Sequence, residues 1–340
     1  MRYNAIDLFA GCGGVSEGLH QAGFNVIAAI ELNRNASRAY SANHKECKMF
    51  NEDIRKLDAE KIRKVLKEQP LHLLSGCPPC QGFSSMRRLN RKQEVNDGRN
   101  DLVLEYLRFV RELKPLTIMM ENVPALGEYS LFKEVLSELD KMGYNPKCHI
   151  VNVANYGVAQ RRKRFIMVGS LIGNLDIAKG NDHMVTVRDV IFGLENVNIT
   201  TDVIHKVYPK HIPRIQKMIS LIPKNGGSRK SLPPEYLLEC HKKQGVGFND
   251  VYGRLRWDNV SSTITGGCLN PSKGRFLHPE ENRCITAREA ALLQSFPRNY
   301  IFPIDIPKTE LALLIGNALP PEFSRIQGTN IYKHLEKYCK

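Results

Sequence analysis

Features that would place a protein in a membrane or on a secretory route are missing from this sequence. No segment approaches the ~18 uninterrupted apolar residues that a membrane-spanning helix needs. The first residues, MRYNAIDLFAGCGG, lack the long apolar stretch and the small-residue cleavage site of a signal peptide. We therefore expect a soluble, cytoplasmic protein that does not span a membrane.

A disulfide framework is also missing. The nine cysteines form an odd, scattered set in a long chain: Cys12, Cys47, Cys77, Cys80, Cys148, Cys240, Cys268, Cys284 and Cys339. Small secreted domains that depend on disulfides carry even numbers of cysteines in short chains. The distribution here is typical of a protein from a reducing compartment.

Acidic residues are scarce relative to basic ones. The chain has 49 Lys and Arg against 35 Asp and Glu, which gives a net charge of +14. Between Asp202 and Glu235 there is no acidic residue but seven basic ones, the basic run: Lys206, Lys210, Arg214, Lys217, Lys224, Arg229 and Lys230. Such a run is often only a solvated face, but its length without compensating acids favours a surface that faces phosphates. The charge balance predicts a polyanionic partner, either nucleic acid or an anionic membrane surface.

The first half of the chain alternates short apolar runs with amphipathic segments, which is typical of an α/β fold with a mostly parallel sheet. Strands are predicted at Ala5–Phe9, Val26–Glu31, His72–Ser75, Thr117–Glu121, His149–Val153 and Phe165–Gly169. Helices are predicted between them, most clearly at Asp101–Leu113 and Ser130–Met142.

The character of the sequence changes from about Ile172. Pro and Gly become frequent and the regular alternation fades, so a second, loop-rich domain is expected. Helical patterning resumes at Arg288–Ser295 and at Pro320–Tyr338.

A glycine-rich corner, AGCGG at residues 10–14, joins the first predicted strand to a helix. Glycines there let a ligand approach the backbone, although a plain tight turn has the same sequence signature. The spacing does not match the dinucleotide fingerprint. Glu31 and Asp53 stand near the ends of two further predicted strands, where acids can bind a ribose diol and an adenine amino group. Together these features favour a nucleoside cofactor with little phosphate, such as S-adenosylmethionine.

The run GCPPCQGFS at residues 76–84 places Cys77 and Cys80 three residues apart in a proline-rich turn. A zinc site would need a second pair of ligands, and no other C-x-x-C occurs. A redox pair of the thioredoxin type would stand at a helix N-terminus in a smaller fold. Two structural thiols in a turn, or a catalytic nucleophile with an incidental neighbour, remain open from this motif alone.

Two other motifs can reach the same edge of the sheet. Glu121-Asn122-Val123 ends a predicted strand, and a basic cluster, QRRKR at 160–164, precedes another. The cluster has a structural alternative as a charged strand entrance. A thiol, a carboxylic acid and an arginine are, however, the groups needed for conjugate addition to an electron-poor pyrimidine.

These motifs, in this order, resemble those of the DNA (cytosine-5)-methyltransferase family, of the bacterial type II modification type. The resemblance covers nearly the whole chain and comprises DLFAGCGG at 7–14, Glu31, Asp53, GCPPCQ at 76–81, ENV at 121–123, QRRKR at 160–164, REAALLQSFP at 288–297 and GNALPP at 316–321. It implies a class I methyltransferase fold, with a Rossmann-like doubly wound sheet and a smaller, loop-rich target-recognition domain. The implied bounds are 1–187 for the catalytic and cofactor domain, 188–302 for target recognition, and 303–340 for a segment that returns to the catalytic domain.

The resemblance also assigns roles to residues. The implied catalytic residues are Cys80, Glu121, Arg162 and Arg164. Cofactor contacts are implied at Phe9, Gly11, Cys12, Gly13, Gly14, Glu31, Leu32, Asp53, Ile54, Pro79 and Asn317. DNA contacts are implied at Gln81, Ser84, Arg87, Arg88, Arg91 and Thr263. Leu32 departs from the aromatic residue often found at its position, although Phe9 could still stack on the adenine. Cys77 occupies a variable position, so Cys77→Ala should keep most activity.

The mechanism implied by the family starts with a cytosine flipped out of the duplex. Cys80 attacks C6 as a thiolate, Glu121 donates to N3, and Arg164 contacts O2. C5 takes the methyl group from S-adenosylmethionine, and a water molecule removes the C5 proton. The loop at 82–100 is predicted to close over DNA. No metal is expected.

Double-stranded DNA is the expected partner, with a companion restriction endonuclease plausible and a monomer expected. Two rivals remain. A tRNA cytosine-5 methyltransferase would use the same chemistry, and a catalytically silent DNA-binding regulator would use the same fold.

Overall fold

Strands and helices alternate through the first half of the chain, as the apolar spacing predicts. The computed structural model describes residues 3–79, 101–181, 183–237, 239 and 250–339. In this half the described elements are β1 Asn4–Leu8, α1 Gly14–Gln21, β2 Asn25–Ile30, α2 Arg34–Asn43, β3 Lys48–Phe50, α3 Ala59–Leu66, β4 Leu73–Gly76, α4 Leu102–Leu113, β5 Thr117–Asn122, α5 Ser130–Lys141, β6 Lys147–Asn152 and β7 Lys163–Ser170. Every strand and helix predicted here overlaps an observed one.

The strands of the described residues form one sheet in the order β3-β2-β1-β4-β5-β7-β6. The first five run parallel, whereas β7 is antiparallel to β5 and β6 is antiparallel to β7. This confirms the predicted α/β fold. Because parallel strands end at one edge of a sheet, the segments that follow β1, β2, β4 and β5 are neighbours. In the register, Leu8 is paired with Ile30 and Gly76, and Gly76 is paired with Met120.

Burial on both faces explains the apolar sequences of the central strands. Every residue of β1 and β5 is buried, as expected for parallel strands covered by helices. Helix α4 is amphipathic instead, and Val103, Tyr106, Leu107 and Val110 recur at helical spacing on its buried face. These side chains pack into the core cluster that includes the central strands.

The last helix, α10 (Pro321–Tyr338), packs against α1 in the same compact unit as the sheet. The approach is close because Gly18 of α1 has no side chain. A Cβ at Gly18 would lie 2.3 Å from the carbonyl oxygen of Pro321. Glycine at this position therefore lets the end of the chain lie on the first helix.

The chain divides into two compact units whose bounds differ from those predicted for the domains. The first unit comprises Met1–Tyr156, Lys163–Asn181 and Leu319–Lys340, and the second comprises Gly157–Arg162 and Asp182–Ala318. Residues 157–162 join the second unit because Arg161 N–H donates to Ser261 O (2.9 Å). Residues up to 318 also stay there, since Gly316 packs directly on the Thr265 backbone. The last segment grouped with the sheet is Leu319–Lys340.

The second unit is irregular. Its described α-helices are α6 Val187–Ile191, α7 Pro213–Leu221, α8 Ala287–Leu293 and α9 Lys308–Asn317. Arg254 is fully buried in it and donates to the carbonyl oxygens of Ile219 and Ile222 near the end of α7, so its charge is satisfied by backbone groups.

None of the helices in the described ranges is long and apolar enough to cross a membrane.

Candidate active site at the carboxyl edge of the sheet

The corner after β1 is built from backbone conformations that few residues adopt. Phe9, Gly11 and Gly13 have φ angles of 58°, 56° and 98°. Glycine tolerates this left-handed region, whereas a phenylalanine there is strained. Ala10 N–H donates to Ile30 O (2.9 Å), which ties the corner to the end of β2. Enforced strain of this kind clusters at binding and catalytic sites.

The space that a side chain at Gly11 would occupy is open. A Cβ added to Gly11 would meet no atom of the described residues within 4 Å. Gly13 precedes α1, and none of the described side chains caps that helix, so its first backbone N–H groups can meet a polar ligand. Cys12 and Gly14 are buried, and desolvation raises the pKa of the Cys12 thiol to about 12. The corner can therefore hold a ligand against its backbone.

Glu31 joins the corner to the end of β2. Its carboxylate accepts hydrogen bonds from Gly11 N–H (2.8 Å) and Asn33 N–H (2.6 Å). Desolvation raises the pKa of Glu31, and these backbone donors oppose the rise. Each carboxylate oxygen has a second lone pair, so the side chain can also accept from a ligand hydroxyl.

The next part of the edge carries Leu32, Asp53 and Ile54. The Leu32 side chain is 63% exposed, whereas Ile54 is buried. Asp53 accepts from Arg55 N–H (3.1 Å) at the start of a short 3-10 helix, Ile54–Lys56, and its side chain is paired with the Arg55 guanidinium. The hydrogen bond from Arg55 holds the pKa of Asp53 below its usual value. An adenine amino group bound here would therefore share the carboxylate with Arg55.

The proline-rich turn follows β4 at the same edge. Cys77 N–H donates to Leu8 O (3.2 Å), and the side chain of Asn122 donates to Pro78 O (2.8 Å). The turn is thus fixed to both neighbouring strands. Pro79 is the last described residue before the gap in the description. Six predicted site residues lie outside the described residues: Cys80, Gln81, Ser84, Arg87, Arg88 and Arg91. The predicted loop at 82–100 lies there too.

Glu121 and Arg164 form an ion pair beside this turn. Arg164 Nε lies 2.7 Å from Glu121 Oε1, and the two side chains are only 15% and 10% exposed. Glu121 stands at the end of β5, and Arg164 lies near the start of the adjacent antiparallel strand β7. The structure therefore brings together two of the predicted catalytic residues, and burial strengthens the interaction between them.

Cys77 contacts the same carboxylate, a relationship that the sequence analysis missed. Its position beside Glu121 follows from the pairing of Gly76 with Met120, and desolvation, reinforced by the negative charge of Glu121, raises the pKa of the Cys77 thiol well above its usual value. No sequence motif marks this relationship, because it depends on the register that pairs Gly76 with Met120. Within the described ranges, no group of three or more His, Cys, Asp or Glu side chains is arranged to hold a metal ion.

Three predicted site residues lie in the second unit. Arg162 is buried and donates to the carbonyl oxygens of Ile264 (2.8 Å) and Gly316 (2.9 Å), so its guanidinium holds the backbone of that unit. The Thr263 hydroxyl donates to Arg161 O (2.6 Å). Asn317 ends α9, and its side chain is exposed.

A buried polar chain behind the glycine corner was also missed. Asp7 Oδ2 accepts from the Ser16 hydroxyl (2.7 Å), which lies 2.7 Å from the Tyr40 hydroxyl, and Tyr40 in turn contacts Cys47 Sγ (3.2 Å). Asp7 Oδ1 is buried with no hydrogen-bond partner among the described residues. Desolvation raises the pKa of Asp7 to about 7. Two signals in the sequence mark this position: Asp7 is an acid within an apolar run, and it begins the motif DLFAGCGG.

The basic run lies in the second unit, and most of it faces solvent. Six of its seven side chains are exposed and Arg229 is buried. The Lys224 ammonium group donates hydrogen bonds to Glu280 O and Asn282 Oδ1. The remaining exposed cations can meet phosphates without first breaking an ion pair that holds the fold.

Comparison with known proteins shows the family of the chain. Residues 3–333 match the profile of the C-5 cytosine-specific DNA methylase family. The chain is 33% identical to the Type II methylase M.HgiDII of Herpetosiphon aurantiacus, over 97% of this chain and 95% of the relative. It is 30% identical to the Type II methyltransferase M1.HphI of Haemophilus parahaemolyticus, over 94% of this chain and 84% of the relative.

Solved structures show the same fold. A prophage-encoded Escherichia coli protein described as a DNA modification methyltransferase superimposes with a TM-score of 0.72 at 26% identity, over 98% of this chain and 99% of that one. The fold is thus that of a class I methyltransferase. With a family profile matched over nearly its whole length and Type II methylases among its relatives, the chain belongs to the C-5 cytosine-specific DNA methylase family.

Proposed function

We propose that this protein transfers a methyl group from S-adenosylmethionine to C5 of a cytosine in duplex DNA. One observation carries the proposal: the buried Glu121–Arg164 pair stands beside the Cys77-Pro78-Pro79 turn, at the sheet edge that also carries the glycine corner. A carboxyl group and a guanidinium that lie side by side are suited to form hydrogen bonds with the polar edge of a base. The turn leads directly into Cys80, the nucleophile proposed by family position.

The glycine corner fits the cofactor. The open space above Gly11 admits a ligand that a side chain would block, Glu31 can accept from a ribose diol, and Asp53 can accept from an adenine amino group. The exposed side chain of Leu32 can cover an apolar ring face. When bound, S-adenosylmethionine would supply an electrophilic methyl group on its sulfonium sulfur.

The chain's own groups would prepare the cytosine. Cys80 attacks C6 as a thiolate, and a new S–C6 bond forms while electron density moves to C5 and N3. Glu121 donates a proton to N3, which relieves the charge on the ring. Arg164 donates a hydrogen bond to O2. After C5 has accepted the methyl group, water takes the C5 proton, the Cys80–C6 bond breaks and N3 returns its proton to Glu121, which restores the aromatic ring and the thiolate.

The second unit would bind the duplex. Flipping a cytosine costs a few kcal/mol, and contacts to the DNA backbone help to offset that cost. The exposed cations of the basic run would contribute by binding phosphates, and Thr263 is a candidate backbone contact by family position. The loop at 82–100 would close over DNA, and the proposed DNA contacts in and beside it are Gln81, Ser84, Arg87, Arg88 and Arg91.

The biological setting is proposed from the relatives. Type II methylases such as M.HgiDII and M1.HphI are bacterial proteins. We propose that this enzyme acts as a monomer in a cytoplasm and protects DNA against a companion restriction endonuclease that cuts the same sequence.

Labelled S-adenosylmethionine tests the proposal directly. The purified protein should transfer label to C5 of cytosine in duplex DNA and not to tRNA, and Cys80→Ala should abolish transfer. Label appearing only in tRNA would favour the RNA methyltransferase. Tight, sequence-specific DNA binding without transfer would favour the silent regulator.

A further inference from the structure

The position of Cys77 is set by the backbone at the carboxyl edge of the sheet. Gly76 ends β4 and is paired with Met120 of β5, so Cys77 lies beside Glu121. On the other side, Cys77 N–H donates to Leu8 O (3.2 Å). Side chains one step further along two adjacent parallel strands point to the same face, which brings the thiol to the carboxylate.

The turn after Cys77 is anchored as well. The side chain of Asn122 donates to Pro78 O (2.8 Å) and its Oδ1 accepts from Val123 N–H (2.8 Å). The residue next to Glu121 therefore holds the residue next to Cys77. The hydrogen bond from Asn122 thus fixes the turn after Cys77 to the end of β5.

Two side chains from different strands lie next to the Glu121 carboxylate. Arg164 Nε lies 2.7 Å from Oε1, and the pairing of Gly76 with Met120 places the Cys77 thiol, whose S–H can donate, beside the same carboxylate. Two donors from different strands restrict rotation about the last bond of the Glu121 side chain, which is otherwise a broad torsion. Removal of either donor would let the carboxylate turn.

Four ionisable groups face the Cys77 thiol: Asp7 on β1, Tyr106 on α4, Glu121 on β5 and Arg164 on β7. Desolvation is the largest influence on its pKa, followed by the negative charge of Glu121 and then that of Asp7, and all three raise it. Arg164 opposes them. Near neutral pH the group therefore stays a thiol, whose S–H can donate a hydrogen bond to Glu121, and does not become a second thiolate that competes with Cys80.

We infer that Cys77 is a positioning residue for the proposed methyl transfer, whose S–H aims the Glu121 carboxyl group at the target base. This inference rests on the proposed function. Cys77 acts through Glu121 and touches neither the cytosine nor the cofactor. A thiol is a weak donor, so loss of the contact should reduce kcat about three- to tenfold.

Two substitutions at the same position separate positioning from packing. Cys77→Ala removes the donor, whereas Cys77→Ser keeps an O–H in its place. In contrast to the mild effect expected from the sequence alone, Cys77→Ala should lower kcat about three- to tenfold and leave KM for DNA within about twofold, and Cys77→Ser should recover most of the loss. Cys148→Ala is the matched control, because Cys148 is also a partly buried thiol against the sheet core. It should leave kcat unchanged.

A second measurement needs no activity. The alkylation rate of each cysteine, followed by mass spectrometry at one mildly alkaline pH, reports its thiolate fraction. Glu121→Gln removes the negative charge beside Cys77, so Cys77 should be alkylated at least about threefold faster in that variant. The rate at Cys148 should not change.

The outcomes distinguish the positioning role of Cys77 from the proposed methyl transfer to DNA. Wild-type kcat in Cys77→Ala, an equal loss in Cys77→Ala and Cys77→Ser, or an unchanged Cys77 alkylation rate in Glu121→Gln would each overturn the positioning role. A wild-type protein that transfers no methyl group to DNA would instead contradict the proposed function, whatever the alkylation rates.

Discussion

Arg164 Nε lies 2.7 Å from Glu121 Oε1, in a pair whose side chains are 15% and 10% exposed. The family resemblance assigns these residues to two different atoms of the cytosine ring, O2 and N3. The structure joins them to each other as well. Each can therefore orient the other, and in the proposed function the pair would act as a preformed receptor for one edge of a pyrimidine.

Arg164→Ala should lower both stability and activity. Removing one partner of a largely buried ion pair leaves the other charge uncompensated, which costs about 3 kcal/mol. The kcat of methyl transfer should fall by at least about 100-fold. Chemical denaturation and initial rates measure the two effects. Arg111→Ala is the control, because its pair with Glu138 is exposed at the surface and should matter little. Equal effects of the two substitutions would contradict a special role for the buried pair.

A suicide substrate should trap Cys80. If the target cytosine carries fluorine at C5, the last step cannot remove a proton from C5, and the S–C6 bond persists. Wild-type protein with such DNA and S-adenosylmethionine should form a complex that survives denaturing electrophoresis. Cys80→Ala should form none, whereas Cys77→Ala should still form it. A trapped complex in Cys80→Ala would rule out the assigned nucleophile.

Gly11→Ala should weaken cofactor binding, because the new side chain would enter the cofactor site. Backbone strain alone should not have this effect. A Cβ at Gly11 would enter open space that the cofactor is proposed to occupy. Gly193 provides the control, since it also has a positive φ, 76°, and a Cβ there would likewise meet no described atom within 4 Å. Both variants should lose about 1–2 kcal/mol of stability. Calorimetry with S-adenosylhomocysteine should show at least tenfold weaker binding in Gly11→Ala only. Unchanged binding would place the cofactor elsewhere.

Asp7→Asn should change how stability depends on pH. Desolvation raises the pKa of Asp7 from 3.8 to about 7, so between these values the folded state holds a proton that the unfolded chain has released. The free energy of unfolding should then fall as the pH rises from about 4 to about 7. The variant keeps an acceptor for Ser16 but has no charge to bury, so this decline should disappear.

Urea denaturation over this pH range measures the effect. Asp53→Asn serves as the comparison, because the pKa of Asp53 is lowered by Arg55 rather than raised. That substitution should leave the decline in place. An unaltered decline in Asp7→Asn would show that Asp7 does not titrate in this window.

Much of the sheet could be predicted because its central strands are short apolar runs. The strand ending at Glu121 was recognisable from Thr117–Met120 and the polar residues that follow. The pairing of Glu121 with Arg164 was not, since it depends on β7 running antiparallel to β5. No local pattern reveals strand direction in a sheet whose other members are parallel.

The division of the chain was harder to predict. Arg162 and Asn317 belong to motifs that the resemblance assigns to the catalytic domain, yet both lie in the second unit. Arg162 is held there by carbonyl oxygens of Ile264 and Gly316, more than 100 residues away in sequence. Backbone carbonyls carry no sequence signature, so such contacts are invisible without a structure.

DNA methylation in a living cell tests the central claim most directly. The gene should be expressed in a bacterial host that lacks cytosine methylation, and the genomic DNA should then be sequenced after bisulfite treatment. The account predicts 5-methylcytosine at one position of one recurring short sequence, absent when Cys80→Ala is expressed at the same level. A genome without methylcytosine, from cells that contain the folded wild-type protein, would contradict it.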